Sequence, residues 1–75
     1  MDRELTIIQI TQDMNELAEQ YEGAADNENL WALGAETDEA VEMHQENARH
    51  CLEMAKMYRR MAKYPEAILK LFEED

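Results

Sequence analysis

An all-α fold is what three features of these 75 residues predict: a helical hairpin with one long helix and a short C-terminal helix, completed as a four-helix-type bundle by oligomerisation. Glu, Ala, Met, Leu, Gln, Lys and Arg dominate the chain, and these side chains lose little on entering a helix. Apolar residues recur at spacings of three and four rather than two. Two glycines and one proline are the only strong breakers, and they fall between the periodic stretches.

The first helix is predicted over 3–22. Ile7, Ile10, Met14, Leu17 and Tyr21 follow one another at heptad spacing, and Ala18 widens their stripe. Leu5 and Ile8 point elsewhere, so this end carries more apolar surface than one partner helix needs. Gly23 is placed to end the helix, because a left-handed conformation costs glycine little. Asp26 or Asn27 then caps the next element.

That element is predicted as one continuous or slightly kinked helix over 27–63, ~55 Å long at ~1.5 Å per residue. Leu30, Gly34, Thr37, Val41, His44, Ala48, Cys51, Ala55, Tyr58 and Ala62 form a single heptad-like line along it. Gly34 and Thr37 keep a second option open: a bend after Leu33 and a fresh start capped by Thr37. Met43, His50, Met54, Met57, Met61 and Tyr64 form another line about 100° around the cylinder. Two apolar lines need cover on two sides. The expected oligomer seam is therefore Val41, Ala48, Cys51, Met54, Ala55, Met57, Tyr58 and Met61.

Tyr64 precedes a proline and must leave the helical region, while Pro65 suits the first position of a new helix. A short helix over 65–73 follows, anchored by Ile68, Leu71 and Phe72, with a frayed acidic tail of Glu73, Glu74 and Asp75.

Charge is the second informative property. Eighteen acidic and seven basic side chains give a net charge of −11. That is the reverse of a phosphate-binding footprint, so direct contact with nucleic acid or an anionic membrane is disfavoured. The distribution is uneven: residues 1–53 carry fourteen acids and two bases, and residues 54–75 carry four acids and five bases. Acids near the start of the long helix and Lys56, Arg59, Arg60 and Lys63 near its end complement the helix dipole. The same asymmetry can orient two chains: antiparallel pairing around residue 50 sets residues 36–46 of one beside residues 56–63 of the other. One cysteine cannot form an internal disulfide, which suits a reducing, cytoplasmic setting. The N-terminal residues lack the pattern of a secretion signal, and no apolar stretch reaches the ~18 residues of a membrane span.

Each chemistry-bearing cluster has a plain alternative. His44, Glu46, His50 and Cys51 lie close in sequence, but the Glu-x-x-His spacing of helical di-metal sites is absent, because Val41 and Asn47 stand three residues before the histidines. Glu16, Glu19 and Glu22, like Glu36, Glu39 and Glu42, are similar to the Glu-x-x-Glu ladders of magnesium-dependent helical nucleotide hydrolases. These ladders turn ~60° per step and face water, with no Lys or Asn nearby to seat a phosphate. No metal or cofactor is expected. The methionine ridge reads as seam or as an adaptable partner surface, and Trp31 as a packing anchor.

Ala55-x-x-Tyr58-x-x-x-Ala62-x-Tyr64-x-Glu66-Ala67-Ile68 resembles the helix-turn-helix of a tetratricopeptide repeat over about twenty residues. Ala18-x-x-Tyr21-x-x-x-Ala25 is a fainter partner, offset by 37 residues instead of the ~34 of that repeat. Pro65 also falls inside the turn, and the chain is too short for the ~3 units such arrays need.

The sequence thus predicts a non-enzymatic, self-associating protein-binding regulator or inhibitor of phage or mobile-element type. Its partner presents a basic surface, such as a nucleic-acid groove, to Glu19, Glu22, Asp26, Glu28, Glu36, Asp38, Glu39 and Glu42. The alternative is a structural or adaptor module that docks a helix or peptide through the methionine ridge.

Overall fold

The computed structural model describes residues 2–73, which form three helices: α1 (Arg3–Gly34), α2 (Asp38–Ala62) and α3 (Pro65–Glu73). Glu74 and Asp75 of the expected frayed tail lie outside the described residues. No strand is present among them, and no described helix is long and apolar enough to cross a membrane.

The hairpin bends where the second sequence option put it, not at Gly23. α1 runs through Gly23, and both Asp26 and Asn27 lie in its interior rather than capping a new helix. Interior glycine costs about 0.5–1 kcal/mol against alanine. Ending the helix there costs more, because Ala18, Ala25 and Ala32 form one heptad line that only an unbroken helix keeps on one face. The chain leaves α1 at Ala35 in extended conformation, φ −72° and ψ 139°, and neither glycine adopts positive φ. Thr37 restarts it by accepting a hydrogen bond from the Ala40 N–H at 3.1 Å. Asp38 and Glu39 sit in the first turn of α2 and Arg59 and Arg60 in its last, each sign at the favourable end of the dipole. At the other terminus Asp2 caps α1, its carboxylate accepting from the Glu4 N–H at 2.9 Å.

α2 and α3 divide the length of α1 between them. Arg59 reaches Asn15, and Arg3 pairs with Glu73. α3 therefore continues the line of α2 along the N-terminal part of α1, with a break at Lys63-Tyr64 imposed by Pro65. The product is a rod of 53 × 19 × 16 Å, two helices across and one deep. Its radius of gyration is 16.5 Å, against the ~11 Å of a compact domain of this length.

Such a rod has a seam instead of a core. The buried hydrophobic residues are Ala18, Ala25 and Ala32 on α1, facing Ala48, Ala55 and Ala62 on α2. Among the described residues no larger side chain is fully buried. Two heptad-spaced alanine triples let the helix axes approach closely. This corrects two expectations. Ala18 lies at the centre of the contact rather than at its margin, and Ile7, Ile10, Met14, Leu17 and Tyr21 are half-buried beside it. Ala48 and Ala55, expected in a seam between chains, are covered by α1 of their own chain.

Substitutions at neighbouring positions should move stability in opposite directions. Ala25 is 1% exposed, so Ala25→Leu forces the helices apart and should cost about 1–3 kcal/mol. A Cβ at Gly23 meets nothing within 4 Å, so Gly23→Ala should gain about 0.5–1 kcal/mol. Urea melts at one fixed protein concentration check both signs.

Candidate interaction surface

The alanine seam divides the rod into two unlike sides. On one, Tyr21 stacks on Tyr58 with ring centroids 5.6 Å apart and planes 17° apart. Trp31 meets the His44 ring edge-on at 5.9 Å, and His44 Nδ1 lies 2.6 Å from a Glu28 carboxylate oxygen. Heptad steps from these residues place Ile7, Met14, Ile10 and Leu17 of α1 on the same side, with Cys51, Met54 and Met61 of α2. All seven are half-buried: the neighbouring helix covers one flank of each and leaves the other open. Beyond them, Trp31 and Met43 are more than half exposed and Met57 is 43% exposed.

The opposite side carries the charged contacts across the seam, together with exposed Ile8 and Leu52, which lie one heptad before Asn15 and Arg59. Arg59 donates to Asn15 Oδ1 at 3.1 Å and to Glu22 Oε1 at 2.6 Å, bridging α2 to α1 across the seam. A shallow groove beside this bridge is lined by Leu52, Lys56, Arg60, Lys63 and Tyr64. Arg59 as a cross-helix clamp was absent from the sequence expectations. The only sequence hint was its place one residue after Tyr58, on the other flank of the Ala55–Ala62 line.

The eight acids expected to contact a basic partner divide unevenly. Glu22 and Glu28 are half-buried and engaged, by Arg59 and His44 respectively. Glu19, Asp26, Glu36, Asp38, Glu39 and Glu42 are exposed. The last four flank the turn and are the densest negative charge on the rod. Among the expected seam residues, Cys51, Met54, Met57, Tyr58 and Met61 lie on or beside the open apolar side, whereas Val41, Ala48 and Ala55 continue the line facing α1.

His44 and His50 do not converge with Glu46 and Cys51. His44 turns to Glu28 and Trp31, and His50 is exposed. Among the described residues no group of three or more His, Cys, Asp or Glu side chains is placed to hold a metal ion.

The segments similar to a tetratricopeptide repeat stand against each other: Tyr21 stacks on Tyr58, and Ala18 and Ala25 share a seam with Ala55 and Ala62. Their matching pattern is that of two helices of one antiparallel seam rather than of successive units in an array. No family model matches the chain, and comparison with curated proteins and with solved structures finds no match.

The Arg59 clamp can be measured directly. Both members of the Arg59–Glu22 pair are over 40% exposed. A double-mutant cycle of Arg59→Gln and Glu22→Gln should give a coupling of about 0.2–1 kcal/mol at low salt, shrinking as ionic strength rises.

Proposed function

We propose that this chain is a non-enzymatic protein-binding regulator or inhibitor, which pairs through its apolar side into a four-helix-type bundle and offers its acidic turn to a basic surface on a partner. The observation that carries this reading is the contrast between what is buried and what is open. Among the described residues six alanines are the whole of the buried apolar set, while Trp31, Met43, Met57, Leu71 and Phe72 are among the large apolar side chains left exposed. Exposed apolar surface on this scale is characteristic of a binding face. The turn supports the second half of the proposal. Glu36, Asp38, Glu39 and Glu42 are exposed within seven residues, and no Lys or Arg occurs between Glu19 and Ala48. A concentrated negative field steers a basic partner and speeds its encounter.

The competing adaptor reading rests on Met43 and Met57, whose flexible thioethers suit adaptable contacts. Two variants separate the readings in capture experiments from native lysate at low and high salt, with the retained proteins identified by mass. The charge reversal Glu36→Lys, Asp38→Lys, Glu39→Lys should weaken capture at least about tenfold while circular dichroism shows the helix content kept. Unchanged capture overturns the acidic-contact reading. Met54→Ser, Met57→Ser, Met61→Ser should reduce self-association and spare the salt-sensitive partner; loss of the partner with self-association intact instead identifies an adaptor.

A further inference from the structure

Resting on the self-association reading above, we infer that the occupant of the apolar side is a second copy of this chain, laid antiparallel so that the turn of each rod lies over the open end of the other. The two-fold axis then passes close to the Tyr21–Tyr58 stack.

Area and shape select a second copy of the same length. The chain exposes 5941 Å², about 1,100–1,200 Å² more than a compact chain of its mass. Covering that excess on both partners buries about 2,300 Å², the scale of an obligate homodimer. The open side runs the length of a 53 Å rod, from Ile7 on α1 to Trp31, so a short peptide covers only part of it. A second hairpin matches its length and supplies an identical apolar side.

Charge selects the direction. Residues 19–53, the turn half, carry ten acids and one arginine. Residues 2–18 and 54–73, the open half, carry six acids and six bases. Parallel rods set the two strongly negative halves side by side. Antiparallel rods set each negative half beside a half whose charges balance. Like-charge juxtaposition is the costlier arrangement.

The structure also moves the centre of pairing. The sequence expectation put it near residue 50, because α2 was taken as the whole of the longer arm. α1 spans Arg3–Gly34 and α3 lengthens the opposite arm, so the middle of the rod falls at Leu17 and Tyr21 on α1 and at Tyr58 and Met61 on α2. Leu17 and Met61 then meet their own copies across the axis. Cys51 lies seven residues from Tyr58 and ten from Met61, ~10–15 Å along the rod, so it stands ~20–30 Å from its copy, beyond the ~7 Å reach of a disulfide.

Spin-label distances on the full chain, with Cys51→Ser as background, test this directly. Gln20→Cys lies near the centre and Gly34→Cys at the turn; both positions are exposed. Antiparallel pairing predicts ~45–50 Å between labels at position 34 and ~15–25 Å at position 20. Short distances at both positions overturn the orientation and leave self-association standing. A monomer mass by light scattering, with no dipolar coupling at either position, overturns both. A mass above that of a dimer overturns the two-copy arrangement, and circular dichroism verifies that each labelled variant is helical.

Discussion

Close approach of two helices along facing alanine lines is the constraint on which the molecule depends. With Ala18, Ala25 and Ala32 against Ala48, Ala55 and Ala62, the axes can approach closely, and among the described residues no larger side chain is fully buried between them. Most larger side chains are displaced to the flanks, and Val41 stays half-buried on the line itself. Tyr21, Tyr58, Ile7, Ile10, Met14, Leu17, Met54 and Met61 collect on one flank, while Arg59 with Asn15 and Glu22, beside exposed Ile8 and Leu52, occupies the other. A two-sided rod is the direct outcome of a seam made from the smallest apolar side chain.

The same seam explains why the hairpin bends where it does. A helix survives Gly23 because the alanine register on either side of it must stay in phase, and it ends at Gly34 because Thr37, Asp38 and Glu39 supply a cap and the right charge for a new beginning. Local signals were present at both places. Gly23 followed by Asp26 and Asn27 has the residues of a break, and Gly34 followed by Thr37 has them too. Propensity alone ranks these nearly equally, and tertiary packing decides between them. The same competition explains the misassigned stripe. Ile7, Ile10, Met14, Leu17 and Tyr21 have the bulk and spacing of a seam, but bulk is what a close-packed alanine contact excludes.

Much else was legible in the sequence. The helical class follows from composition and periodicity, and the stop at Tyr64-Pro65 from the stereochemistry of proline. Uneven charge is a matter of counting, and that the chain carries apolar surface beyond what one partner helix covers was visible in the two lines of α2. Cross-chain geometry was not legible, because Arg59 finding Asn15 and Glu22 depends on the rotation of α2 about its axis, which the alanine lines fix only once both are known to face each other. The acidic row was readable as residue types but not as neighbours: Glu22 and Glu28 lie on flanking positions of α1 that bring a basic side chain or an imidazole within reach, and their equally acidic neighbours do not.

The placement of the aromatic side chains gives the rod two native optical reporters at separate stations. Trp31 is the single tryptophan and sits beside His44 near the turn, whereas the Tyr21–Tyr58 stack marks the midpoint. Indole emission therefore follows the local environment of the bend, and the near-ultraviolet dichroism of the tyrosine pair follows the middle of the seam. Unzipping that begins at the bend changes the first signal before the second, and cooperative melting changes both together, so the order of loss can be read from the unlabelled chain.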